Sequence, residues 1–187
     1  MFFNGVRHEE FAKIEDKKHP MTEWISDKVQ NIIPRTKPPL KHLVIMVGSP
    51  ASGKSFYSRE LEKSGYLRIN KDDMKSDKIM QKEFDAGIKN GQNIVIDGTN
   101  ATKEARSKWI NAAATYHITI VWMKFPMPVV EFLDNYRIAM NKNQDTHVPA
   151  VAMRVYYKKL EEPTQSECDN LIEIKTINTP KMLSVWL

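Results

Sequence analysis

The sequence predicts an α/β fold, a mainly parallel sheet between two layers of helices. Short apolar runs alternate with segments of helical period along most of the 187 residues. Two of the runs, Leu43 to Val47 and Asn93-Ile94-Val95-Ile96-Asp97, have uninterrupted apolar cores, as strands covered on both faces require. The first run leads straight into a glycine-bearing loop and a helix.

Taken in order, Thr22 to Ile33 places Trp24, Ile25, Val29 and Ile32 at helical spacing and predicts a short amphipathic helix. Pro34, Pro38 and Pro39, interleaved with Arg35, Lys37 and Lys41, form a stiff basic connector. Residues 1–40 therefore read as an N-terminal helical and linker extension, and 41–187 as the main domain. A helix is expected over Ser55 to Lys63, stopped by Ser64-Gly65, and then a strand over Tyr66 to Ile69. Ile79, Met80, Phe84 and Ile88 predict a helix over Asp77 to Lys89, ended by Asn90-Gly91. Further helices are expected over Thr102 to Thr115, Pro128 to Met140 and Pro149 to Glu162, with a polar gap from Asn141 to His147. Ile118 to Phe125 and Leu171 to Ile177 complete the strands.

The composition, 41% hydrophobic with 7 Gly and 10 Pro, is that of a chain able to bury a core. The net charge of +5 is compatible with a polyanionic partner but does not by itself identify one. Cys168 is the single cysteine, so no internal disulfide is available. No stretch approaches the apolar length of a membrane span or of a secretory leader, and a soluble intracellular protein without membrane contact is expected.

The chemistry concentrates in Gly48-Ser49-Pro50-Ala51-Ser52-Gly53-Lys54-Ser55, which fits G-x-x-x-x-G-K-[ST]. The glycines let backbone N–H groups turn inward around nucleotide phosphates. Lys54 is placed to reach the β- and γ-phosphates of ATP, and the Ser55 hydroxyl to ligate Mg²⁺. Strands of an open α/β sheet present ligands at their carboxyl ends. Asn70-Lys71-Asp72-Asp73 and Asp97-Gly98-Thr99-Asn100 should then share one cleft with the loop. Asp97 reads either as a carboxylate orienting Mg²⁺ or as a turn former before Gly98. Asp72 reads either as the base for an attacking hydroxyl or as a helix N-cap, and spacing leaves both open.

The segments GSPASGKS, GYLRINKDD, IVIDGTNATKEAR, NYR, HVP and EEPT together resemble the 5′-hydroxyl polynucleotide kinase family, in particular the kinase half of its bifunctional kinase/phosphatase members. The resemblance spans about residues 41 to 175. It implies a kinase-type phosphate-loop NTPase sandwich with a helical lid, using ATP and Mg²⁺ on nucleic-acid 5′-hydroxyl ends, DNA or RNA. It implies Asp72 as general base and Lys54 with the lid residue Arg137 as the groups that stabilise transferring charge. Ser55 and Asp97 would serve the metal, and Lys75, Thr99, Asn100 and Arg106 the acceptor side. An arginine fork suits delocalised phosphoryl charge. His147 is given no catalytic role. The chain departs from the family at Lys75 and Ala139, where members carry arginines, and at Gly98, where they carry Asn or Asp. The family's phosphatase motif D-x-D-G-T is not matched, because Val95 stands at its first Asp, so a kinase without the phosphatase is expected. A phosphate-loop kinase with a small-molecule acceptor and a nucleotide-gated binding module are the competing readings. Steep salt dependence of binding separates a polynucleotide acceptor from a small one, and ATP binding with no transfer to any acceptor would favour the binding module.

Overall fold

A computed structural model describes residues 2–3, 6–7, 41–140 and 147–175. The helix expected over Thr22 to Ile33, the proline connector, the polar gap apart from His147, and Thr176-Ile177 lie outside the described residues, so the 1–40 extension is not tested. Two short strands, Phe2–Phe3 and Val6–Arg7, pair antiparallel.

The main sheet contains β1 (His42–Gly48), β2 (Leu67–Asn70), β3 (Ile94–Asp97), β4 (His117–Met123) and β5 (Asn170–Ile174). All neighbours run parallel, in the order β2-β3-β1-β4-β5. The helices are α1 (Lys54–Lys63), α2 (Lys71–Met74), α3 (Asp77–Lys89), α4 (Lys103–Ala112), α5 (Met127–Met140) and α6 (Ala150–Lys159). Parallel neighbours need such crossovers, which cover both faces of the sheet.

The alternation of β1 divides the core in two. Leu43, Ile45 and Val47 pack with Met80 and Phe84 of α3 and Trp109 of α4. Val44 and Met46 pack with Tyr57 and Leu61 of α1, Val129 and Val130 of α5, and Met153 of α6. Each of Leu43 to Val47 is fully buried, which is why no polar residue interrupts the run.

Element ends differ from expectation where local hydrogen bonds intervene. The strand expected to reach Phe125 ends at Met123: the Lys124 amide still reaches the Ile174 carbonyl of β5 (2.9 Å), but the Phe125 amide turns back to the Met123 carbonyl (3.0 Å). The helix expected to reach Glu162 ends at Lys159. Pro163 disfavours helix just before it, and the Glu161 amide goes instead to the Ala101 carbonyl at 2.8 Å. The helix expected to reach Thr115 ends at Ala112, where the chain turns into β4.

Candidate active site

The phosphate loop joins β1 to α1 by the conformations its sequence suggests. Gly53 (φ 88°) and Ala51 (φ 64°) occupy left-handed backbone, and Gly53 caps α1 without a side-chain acceptor. The first amides of α1 are therefore turned toward the cleft. Gly48 is needed for close approach, since a Cβ there would lie 2.6 Å from Ser52 Oγ and 2.9 Å from Met123 Cβ. Its amide donates to the Thr99 carbonyl at 3.2 Å, binding the phosphate loop to the loop after β3.

Lys54 is buried, with Nζ donating to the Ser49 carbonyl at 2.6 Å. Burial lowers its pKa to about 8, against the opposing pull of Asp97 and Asp72. The same two carboxylates thus act on the lysine from the ends of two neighbouring strands.

Asn70 arranges those ends. Its Oδ1 accepts from the amides of Asp72 (2.8 Å) and Asp73 (3.1 Å), and its Nδ2 donates to the Asp97 carbonyl at 3.2 Å. Asn70, not Asp72, is the N-cap of α2, so the alternative reading of Asp72 is removed and its side chain stands exposed at the cleft. Asn100, in left-handed backbone (φ 42°), donates Nδ2 to the Met46 carbonyl at 2.7 Å.

Asp97 is buried, and its side chain is committed to partners beyond its own turn. Oδ2 accepts from Ser58 Oγ (2.7 Å) and from Arg68 Nε (3.0 Å) and Nη2 (2.6 Å), while Oδ1 faces Ser55 Oγ at 3.4 Å. Sequence reasoning missed Arg68. The available signal was a cation inside a short strand, which must meet a counter-charge if it is buried. The oxygen donors of Ser55 and Asp97 suit a hard divalent cation such as Mg²⁺.

One cleft of about 1470 Å³ gathers Pro50 to Ser55, Asn70, Lys71, Asp72, Asp97, Thr99, Asn100 and Arg137. Phe56, Met80 and Trp109 give it apolar walls. Two residues expected on the acceptor side do not line it. Lys75 is exposed at the C-terminal end of α2 with φ 59°. Arg106 is fully buried beneath the cleft floor, paired to Glu167 through Nε (2.7 Å) and Nη2 (3.0 Å). Its Nη1 donates to the carbonyls of Asn100 (3.1 Å) and Ala101 (3.3 Å), so it supports the loop after β3. Burial disfavours the Glu167 carboxylate, but the Arg106 donors and the Thr164 amide outweigh it and leave its pKa below the ordinary value.

Arg137, on α5, lines the cleft and donates to Asp134 Oδ1 through Nη2 (2.8 Å) and Nε (3.3 Å). Asp134, also missed in the sequence, is buried and accepts from His147 Nδ1 (3.1 Å) and the Val148 amide (3.0 Å). It ties the start of the α6 segment to α5.

No family model matches the chain. Over 166 residues, 85% of its length, it is 28% identical to a protein of Acanthamoeba polyphaga mimivirus described as a bifunctional polynucleotide phosphatase/kinase, covering 39% of that protein. Over 135 residues, 68% of its length, it is 27% identical to the bifunctional polynucleotide phosphatase/kinase of Schizosaccharomyces pombe, covering 31% of it. The chain is thus similar in sequence to two polynucleotide phosphatase/kinases. The chain spans 39% and 31% of the length of these two curated relatives. Among solved structures, a fungal RNA kinase superposes with a TM-score of 0.55 at 14% identity, over 75% of this chain and 76% of that one. That likeness shows a phosphate-loop kinase fold for this chain. Among its described residues no helix is long and apolar enough to cross a membrane.

Proposed function

We propose that the chain transfers the γ-phosphoryl group of ATP to the 5′-hydroxyl of a polynucleotide. The observation that carries this reading is the placement of Asp72. It is exposed in the same cleft as Lys54 and Asn100, on a helix whose cap, Asn70, is bonded to the Asp97 strand end.

The loop amides and the first turn of α1 hold the donor phosphates. The Asp72 carboxylate accepts the proton of the acceptor hydroxyl as that oxygen bonds to the γ-phosphorus. The bond from phosphorus to the β–γ bridging oxygen breaks, and ADP leaves with the electron pair. Lys54 and Arg137 stabilise the charge spread over the transferring group. Ser55 and Asp97 Oδ1 would hold Mg²⁺, which supplies charge neutralisation at the β- and γ-oxygens when bound. The cleft volume exceeds that of a pocket for one small ligand and suits a nucleotide facing a strand end.

The test is transfer of labelled γ-phosphate to matched DNA and RNA oligonucleotides bearing a 5′-hydroxyl or a 5′-phosphate. Label is expected on the 5′-hydroxyl strands alone. Asp72→Asn is expected to lower the transfer rate by at least about 100-fold while ATP still binds. Transfer retained in that variant removes Asp72 as base, and label on no strand removes the polynucleotide as acceptor.

A further inference from the structure

We propose that Arg68 is a positioning residue that makes divalent metal entry depend on bound nucleotide, an inference that rests on the metal position proposed beside Ser55 and Asp97. The arginine side chain, 7% exposed, belongs to β2 and reaches across to β3. It donates through Nε and Nη2 to a single oxygen of Asp97, Oδ2, which also receives the Ser58 hydroxyl. Three donors fill the capacity of that oxygen. The carboxylate is thereby fixed with Oδ1 alone turned toward Ser55. The remaining nitrogen, Nη1, donates to Asp73 at 2.5 Å, one residue beyond Asp72. One guanidinium thus links the metal carboxylate, α1 and the helix that carries the base.

The electrostatic consequence follows from the same contacts. Arg68 neutralises Asp97 within hydrogen-bond distance, and Lys54 adds a second cation beside it. Arg68 and Lys54 offset two of the three carboxylates Asp97, Asp73 and Asp72, so a bare dication approaching Ser55 meets far less negative charge than the carboxylates alone would present. The negative charge that draws the metal in arrives with the nucleotide phosphates. Metal and nucleotide affinities are therefore coupled, and the coupling is reciprocal.

The experiment is titration of the full chain with Mn²⁺ alone, ADP alone and both, followed by calorimetry and thermal melting. In the unaltered protein Mn²⁺ alone leaves the melting temperature nearly unchanged, and it tightens ADP binding by about tenfold or more. In Arg68→Met the metal alone becomes stabilising, because it replaces the missing counter-charge, and the coupling falls by about tenfold. Arg68→Lys keeps the charge and the unaltered order of events. If Arg68→Met does not fold in metal-free buffer, Mn²⁺ is expected to restore its folding. The double variant Arg68→Met/Asp97→Asn then folds without metal and ignores it, since both buried charges are gone.

Equal responses to Mn²⁺ alone in the unaltered protein and Arg68→Met, or failure of Mn²⁺ to rescue an unfolded Arg68→Met, overturn the inference. An arginine that merely supports the fold would lower stability without altering the coupling. No readout here uses an acceptor. A failure of phosphoryl transfer to oligonucleotides would therefore sink the substrate reading while leaving this one to its own result.

Discussion

At the scale of single residues, Lys54 does two things that oppose each other. Its position under the loop is where the proposed transfer needs an ammonium, yet burial lowers its pKa to about 8. Nucleotide phosphates favour the charged form, so binding above pH 8 must take up a proton. ATP affinity is expected to fall as pH rises through about 8, by up to tenfold for each further pH unit. Calorimetry at pH 8.5 in two buffers of different ionisation enthalpy reads the proton uptake directly. Lys54→Arg, charged throughout, should bind ATP without that uptake. Identical apparent enthalpies in the two buffers for the unaltered protein would show that Lys54 is fully protonated there.

At the scale of elements, the site is assembled by contacts between strand ends, and Asn70 is the joint. It caps α2 through Oδ1 and reaches β3 through Nδ2. Asn70→Ala loses the cap and leaves the Asp97 carbonyl without that donor, at about 1–2 kcal/mol of stability. Because the cap also sets where Asp72 points, kcat is expected to fall further than the melting temperature suggests, with ATP affinity retained. A kcat that tracked stability alone would assign Asn70 to the fold only. Local pattern made much of this visible in the sequence. The run Leu43 to Val47 and the loop from Gly48 to Ser55 carry their strand and anion-binding signals within a few residues. Arg68 and Arg106 do not, because their partners, Asp97 and Glu167, are 29 and 61 residues away and meet them only through the sheet and the last crossover. The resemblance implied Arg106 on the acceptor side, and its burial beneath that loop depends on a pairing that no local window contains. Asp134 stayed hidden for a related reason, since its donors His147 and Val148 lie 13 and 14 residues further along the chain.

At the scale of the whole molecule, the sheet has a reactive end and a structural end, and they respond to pH differently. The cleft lies at the carboxyl ends of the strands, while His42 opens β1 at the opposite end, beside His117 of β4. His42 is 4% exposed, with Nδ1 2.7 Å from Tyr66 Oη and Nε2 2.8 Å from Thr119 Oγ1. Burial first, and then the neighbouring His117, lower its pKa to about 4, with Asp169 opposing them. The folded state therefore prefers the neutral ring, whereas the unfolded chain takes up a proton near pH 6.5. The resulting stability is present in full above about pH 6.5 and is lost as pH falls toward about 4, a change on the order of 2 kcal/mol. His42→Gln cannot titrate, so its melting temperature should decline less across that interval, even if it begins lower. ATP binding at pH 7 should be the same in both proteins, because nothing in the cleft touches this end of β1. Parallel melting curves for the two proteins between pH 6.5 and 4 would place the acid sensitivity elsewhere, with Glu167, held below its ordinary pKa by Arg106, as the next group to test.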